Sequence, residues 1–376
     1  MMNDSKKALA NQRGPFFDPD PSVDSPAIEP LGLLSGRAAL DLCESGAAFA
    51  LAGGPLAFTH GRIDDEILTA GELRNHVMQA GMSGNQILAR RLEALTGPRA
   101  DFAGLVLSGA GAAPRIMGVC NVTPDSFSDG GAHDDPQAAT AFARDLVRAG
   151  ADIIDVGGES TRPGADPVSL DTELARVLPV VAALVEDGIP VSIDTRHARV
   201  MAEAIAAGAT IVNDVMALTG PDTLATVASS NASVVLMHMQ GTPQTMQDDP
   251  AYHDVVSDVF GWLTRRVGAC VEAGIAPERI AVDPGFGFGK TVEHNADLLA
   301  RLGVLHGLGC AVAVGLSRKS FIGALTGVED PVARVSGSVS AALAAVGQGA
   351  QIVRVHDVAQ TRAAFAIWRA QAGLSR

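Results

Sequence analysis

The sequence predicts an α/β chain organised as a (β/α)8 TIM barrel, and three observations predict it. From Arg115 onward, short β-branched apolar runs alternate with Ala-rich stretches of helical spacing, eight times over. Several of the helical stretches stop at glycine (Gly150, Gly188, Gly208, Gly274), as left-handed C-terminal caps require. Polar residues collect directly after every apolar run, and a barrel brings the C-terminal ends of all its strands to one face. A doubly wound open sheet is the alternative for this many βα units.

The expected strands are 116–120, 152–156, 191–193, 210–212, 233–237, 280–282, 311–314 and 352–355. The expected helices are 135–149, 171–187, 198–207, 221–229, 253–273, 293–302, 331–348 and 358–370. They place the barrel at 113–376. Residues 1–30 hold five prolines among Asp and Ser, a composition that buries too little apolar surface to order itself, so a disordered-type tail is expected there. Residues 31–112 read as a small N-terminal α/β appendage. It has a short strand at 55–60, helical content over 63–95 interrupted at Gly71, Gly81 and Gly84, and another strand at 104–107. No motif in it suggests chemistry, so a structural or oligomer-contact role is expected.

Composition excludes several classes of function. The chain has 376 residues, 47% hydrophobic and 19% charged, enough for a large core. No apolar run reaches the roughly 18 residues of a membrane span. The start has Lys6 and Lys7 but no apolar secretory segment, so no export signal is expected. Cys43, Cys120, Cys270 and Cys310 are far apart and fit neither a zinc site nor a disulfide framework, which suits a reducing cytoplasm. A formal charge of −14 argues against nucleic acid. It leaves room for a small anionic substrate held by local cations and helix N-termini.

The strand ends carry the chemistry. Asn121 follows the first strand and Gly157-Gly158-Glu159-Ser160-Thr161-Arg162-Pro163-Gly164 the second. Asp194-Thr195-Arg196, Asn213-Asp214 and His238-Met239-Gln240-Gly241 follow the next three. Asp283 to Lys290, Gly315 to Ser320, and Arg354 with His356 complete the ring. Asp194, Asn213 and Asp283 would face a common centre. Two carboxylates and an amide suit a flat ring with a row of N–H donors and a carbonyl, such as an aminopyrimidine. A metal held by the same three residues is the alternative. Arg354 and His356 alternate along the last strand and, with Asn121, make an anion corner. The alternative for Arg354 is a structural pair with Asp357 or another acid. Asn121 could ligate Mg²⁺ if the anion is a pyrophosphate. Gly285 to Thr291 is not a P-loop, because the position of its first glycine holds Pro284. Its glycines instead suggest a backbone close to a ligand, with Phe286 or Phe288 stacking on it.

Six motifs in this order, 121–131, 160–164, 192–195, 283–290, 315–323 and 354–358, resemble dihydropteroate synthase of the folate pathway, over roughly 115–372. The resemblance implies a cytoplasmic, homodimeric, Mg²⁺-dependent transferase. It would condense 6-hydroxymethyl-7,8-dihydropterin pyrophosphate with 4-aminobenzoate, release pyrophosphate, and be a target of sulfonamides. It further implies a pterin site of Asp194, Asn213, Met237, Asp283, Phe288, Gly315 and Lys319. A pyrophosphate site of Asn121, Arg354 and His356 is implied, with Mg²⁺ at Asn121. The 4-aminobenzoate site would comprise Phe127, Thr161, Arg162, Pro163, Phe288, Lys319 and Ser320, completed by Asp129 on a closing loop. Small molecules would be the only partners besides a second copy of the chain. The expected mechanism is dissociative, with no covalent enzyme intermediate. Two rivals are the pterin-binding domain of a methyltetrahydrofolate methyltransferase and a pterin-binding protein without catalysis. The former has no need of the Arg-x-His corner or the Ser-Thr-Arg-Pro loop.

Overall fold

The computed structural model describes residues 27–109, 112–123, 136–159, 168–241, 246 and 249–374. Eight parallel strands close into the expected barrel: β5 (Arg115–Asn121), β6 (Ile153–Gly157), β7 (Val191–Asp194), β8 (Ile211–Asp214), β9 (Ser233–Met237), β10 (Ile280–Asp283), β11 (Ala311–Gly315) and β12 (Ile352–Val355). Their outward residues pack under a ring of helices, as with Ile154, Val156, Ile193, Val234 and Val282, all fully buried. The helices are α4 (Pro136–Arg148), α5 (Leu170–Glu186), α6 (Ala198–Ala206), α7 (Thr223–Ala228), α8 (Val255–Glu272), α9 (Val292–Ala300), α10 (Ser320–Thr326), α11 (Val335–Gly347) and α12 (Val358–Gln371). Gly150, Gly188, Gly208 and Gly274 all have positive φ and close the preceding helices, as the sequence predicts. α10 was not expected: seven residues that read as the tail of a strand-end motif form two turns of their own. Residues 331–334, expected to open a helix, form a 3₁₀ turn before α11.

The appendage differs more from expectation. A four-stranded sheet comprises β1 (Glu29–Ser35), β2 (Phe49–Ala50), β3 (Leu56–Ile63) and β4 (Glu66–Thr69), with β1 and β2 both paired to β3. Three helices accompany it, α1 (Gly36–Glu44), α2 (Ala70–Met82) and α3 (Ile87–Thr96). β1 begins inside the segment expected to be a tail. Pro30 is tolerated because β1 is an edge strand, where a missing N–H breaks no ladder. A Thr69–Glu72 capping box starts α2, which runs through Gly71 and Gly81 and stops before Gly84. Residues 104–107 are not a strand; one bridge joins Phe102 and Leu105.

That bridge is where the appendage meets the barrel. Phe102 is fully buried in a cluster with Met117, Ile153, Ile211, Val235, Ala281 and Ile352, the inward layer at the N-terminal end of the strands. The turn therefore plugs the barrel floor, opposite the face that carries the strand-end motifs. Arg99 locks the plug: its Nε donates to the Cys310 carbonyl at 2.9 Å and its Nη2 to the His306 carbonyl at 2.8 Å. Glu29 adds a second tie, accepting from Arg62 at 2.5 Å and from Arg301 at 3.0 Å.

Candidate active site

The C-terminal ends of the strands bring most of the expected residues together. Asp194 ends β7, Asn213 lies on β8, Asp283 ends β10, Gly315 ends β11 and Arg354 lies on β12. Two glycines leave room between them. A Cβ at Gly157 would stand 3.5 Å from Asn121 Oδ1 and 3.7 Å from Asp194 Oδ2; one at Gly315 would stand 4.0 Å from Asp283 Oδ2 and 3.8 Å from Arg354 Cδ. Asn121, Asp194, Asp283 and Arg354 thus share one hollow.

Arg354 is the hub. Its Nε donates to Asp155 Oδ2 at 2.6 Å and its Nη2 to Asp194 Oδ2 at 2.7 Å. Of the alternative partners expected for Arg354, Asp357 is taken by Arg318 through two hydrogen bonds of 3.1 and 2.6 Å, while the pairing with another acid is met by Asp155 and Asp194. His356 sits beyond β12, with Nδ1 3.0 Å from Ser317 Oγ and its backbone N–H donating to the same oxygen. Asp155 and Ser317 are site residues that sequence reasoning missed. Asp155 interrupts an otherwise apolar run, and its place in the alternation with Ile153 and Gly157 would have revealed an inward-facing acid.

Burial sets the electrostatics. It pushes the Asp194 carboxyl up to about 7, against the pull of Arg354. It also raises Asp283, which Lys319 opposes, and lowers Lys319 to about 8, which Asp283 opposes. The Lys319 ammonium donates to the Phe286 carbonyl and lies 4.4 Å from the centre of the Phe288 ring. Phe288 and Met237 belong to a small apolar cluster with Val215 and Met239. One side of the hollow is therefore apolar and the other charged.

The glycine-rich turn after β10 differs from expectation. Phe286 is fully buried and stacked on Phe321, so only Phe288 is available to a ligand. The glycines approach protein backbone: a Cβ at Gly285 (φ +70) would lie 1.9 Å from the His238 carbonyl oxygen. Lys290, almost fully buried, fastens the turn by donating to the Phe288 carbonyl at 2.9 Å and facing His238 Nδ1 at 3.0 Å. Burial pushes its amine down to about 7 and the His238 imidazole down to about 3.

Phe127, Asp129, Thr161, Arg162 and Pro163 lie outside the described residues. The described end of β6 is firmly held: Arg196 grips Glu159 through bonds of 2.9 and 3.0 Å, and Arg176 donates to the Gly158 carbonyl at 3.0 Å. Ser320 is exposed at the start of α10, directly after Lys319. Among the described residues, Glu159, Glu173 and His197 are the His, Cys, Asp or Glu side chains close enough to share a metal ion, a set that does not include Asn121.

Known proteins resemble this arrangement closely. The pterin binding enzyme family matches residues 117–356. The dihydropteroate synthase of Neisseria meningitidis serogroup C is 51% identical over 261 residues, covering 68% of this chain and 92% of the relative. A solved structure of Xanthomonas albilineans dihydropteroate synthase with 4-aminobenzoic acid has a TM-score of 0.68 at 50% identity, covering 73% of this chain and 97% of that one. A structure of the same enzyme with 7,8-dihydropteroate has a TM-score of 0.64 at 47% identity, covering 70% and 95%. With the Asp-Asn-Asp set, the Arg-x-His corner and the barrel in the positions described, the chain belongs to the pterin binding enzyme family and, within it, to the dihydropteroate synthases.

Proposed function

We propose that the chain joins 6-hydroxymethyl-7,8-dihydropterin pyrophosphate to 4-aminobenzoate in the hollow around Arg354, with each half of the site serving one part of the chemistry. The observation that carries this is the convergence of Asp194, Asp283, Arg354 and Lys319 beside the exposed part of Phe288. Asp194, Asn213 and Asp283 offer acceptors to the N–H edge of the pterin. Lys319 donates to its carbonyl or ring nitrogen, Met237 and Phe288 pack its faces, and Gly315 leaves room for it. Arg354, His356 and Asn121 receive the pyrophosphate.

Asn121 supplies a single neutral oxygen at a half-buried strand end, with Asp194 Oδ2 across Gly157. That donor set suits Mg²⁺, which keeps several waters and takes its remaining oxygens from a substrate's phosphates. Bound there, Mg²⁺ would neutralise charge on the departing pyrophosphate. The chain's own contribution is positioning and charge. Arg354 and His356 stabilise the negative leaving group, while Asp194, Asp283 and Asp129 favour the positive charge that develops on the pterin methylene. The pterin carbon–oxygen bond breaks, the amine of 4-aminobenzoate attacks that carbon, and the amine loses a proton. Lys319, Ser320 and Phe288 serve 4-aminobenzoate, and the resemblance assigns Phe127, Thr161, Arg162 and Pro163, outside the described residues, to the same ligand. No helix among the described residues is long and apolar enough to cross a membrane.

The test is direct. Folded protein incubated with dihydropterin pyrophosphate, 4-aminobenzoate and Mg²⁺ should produce dihydropteroate and pyrophosphate in equal amounts. Absence of product from protein with a normal melting transition would refute the reading. Magnesium titration and sedimentation measurements test the metal and the dimer separately.

A further inference from the structure

We propose that Asp155, below the substrate hollow, is a positioning residue that sets both the hydrogen-bonding polarity of Asn213 and the pivot of Arg354. This rests on the roles of Asn213 and Arg354 given above. Asp155 is fully buried in the middle of β6. Its Oδ2 accepts from Asn213 Nδ2 at 3.0 Å and from Arg354 Nε at 2.6 Å. Its Oδ1 is buried without a hydrogen-bond partner. Its register neighbour on β7, Ser192, has a buried hydroxyl that also lacks a partner.

The Asp155 Oδ2 that already accepts from Arg354 Nε is an acceptor toward Asn213 as well. Asp155 therefore requires the nitrogen of Asn213 to point down and its oxygen to point up. The pocket then presents three acceptors, Asp194, the Asn213 oxygen and Asp283, and no amide donor. A ligand edge with donors in a row is accepted, and an edge with a carbonyl at the Asn213 position is rejected, because two acceptors would face each other unpaired.

The same oxygen holds Arg354. Among the described residues, Arg354 is the only cation bonded to Asp155, and a buried carboxylate left without its cation is costly. Arg354 is thus anchored through Nε while its Nη2, now on Asp194, is the end able to move. When the pterin engages Asp194, Nη2 can turn to the pyrophosphate without Nε leaving Asp155. One motion would then hand a carboxylate to one part of the substrate and a guanidinium edge to the other.

The tests are Asp155→Asn and the pair-reversing Asp155→Asn/Asn213→Asp, with pterin (no pyrophosphate) as a binding probe and steady-state kinetics for the full substrate. In D155N, pterin affinity should fall about tenfold as the amide of Asn213 loses its fixed orientation, and KM for the pyrophosphate substrate should rise by at least as much. KM for 4-aminobenzoate should stay unchanged. The double variant restores a donor below and an acceptor above, so it should recover pterin affinity while KM for the pyrophosphate substrate stays raised. Equal losses in all three constants, or no recovery of pterin affinity in the double variant, would overturn the proposal. If D155N does not fold, a crystal structure of the unaltered enzyme with the pyrophosphate substrate decides: Arg354 Nε and Asn213 Nδ2 must both remain on Asp155, and either one leaving overturns it. Arg354→Ala and Asn213→Ala serve as controls. If neither changes substrate binding, the site assignment itself fails, which is a different outcome from a silent D155N.

Discussion

Arg354 and Asp194 are hydrogen-bonded to each other at 2.7 Å, so a residue assigned to the anion is held by a residue assigned to the pterin. The ionised Asp194 is the form that accepts from pterin N–H groups, and its carboxyl is pushed up to about 7, chiefly by burial. Below that pH it is increasingly protonated. kcat/KM for the pterin substrate should therefore fall with decreasing pH, about tenfold per unit once below the pKa, and Asp194→Asn should lose this acid limb along with most of the activity. The stability sign runs the other way. A carboxyl raised above its unfolded value stabilises the fold fully below the unfolded pKa, and that contribution is lost as pH rises through about 7. Acid inactivation from this group is thus not unfolding, and circular dichroism alongside the rate profile distinguishes the two. A flat profile from pH 8 to 5.5 contradicts the role.

Replacing Arg354 with Ala should separate the two halves of the substrate. Affinity for the pyrophosphate substrate should drop by about two orders of magnitude, the size of a lost charge-assisted bidentate contact with an oxyanion, while free pterin loses much less. Calorimetry with the two ligands checks this. The variant also leaves Asp155 buried without its cation, so a stability loss of about 3 kcal/mol is expected in denaturant melts.

Lys290 predicts a different phenotype. It touches the Phe288 carbonyl and His238 rather than the charged side of the hollow. Lys290→Met should free the turn that carries Phe288 and raise KM for the pterin substrate several-fold, with a smaller change in kcat. Two buried acceptors lose their donor, which costs about 2 kcal/mol. Equal KM in variant and parent would show that the turn is held by other means.

How far the sequence could be read follows from these residues. The strands were legible because a barrel strand is a short β-branched run with a polar end; 233–237 and 352–355 are the same residues as β9 and β12. The shared place of Asp194, Asn213, Asp283 and Arg354 at the barrel mouth was legible because they stand at or next to strand ends, whereas Lys319, in the turn after β11, entered through the resemblance. Asp155 was not, because an acid in the middle of an apolar run shows its function only through Arg354, 199 residues away. β1 was hidden by the prolines around it, whose effect depends on whether a strand is an edge, a property of the assembled sheet. Phe286 and Phe288 look equivalent in sequence; only packing against Phe321 separates them.

Phe102 tests the appendage. It fills the barrel floor, far from the strand-end hollow. Phe102→Ala should destabilise by about 3–5 kcal/mol yet leave kcat and both KM values unchanged below the melting temperature. A chain starting near residue 113 should bind dye that reports exposed apolar surface, as its lowest barrel layer becomes uncovered. Lost activity in folded Phe102→Ala would place the appendage in the catalytic cycle.

The Arg99 latch has a consequence during synthesis. Its partners, the carbonyls of His306 and Cys310, leave the ribosome 207 and 211 residues later. The appendage has its own apolar core around Phe58, Leu73 and Leu95 and can condense early. Its plug, however, has no closed barrel to enter until the eighth barrel strand has been made. For most of translation a sticky apolar turn hangs from a finished module, a window in which chaperone capture and premature pairing between nascent chains compete with closure.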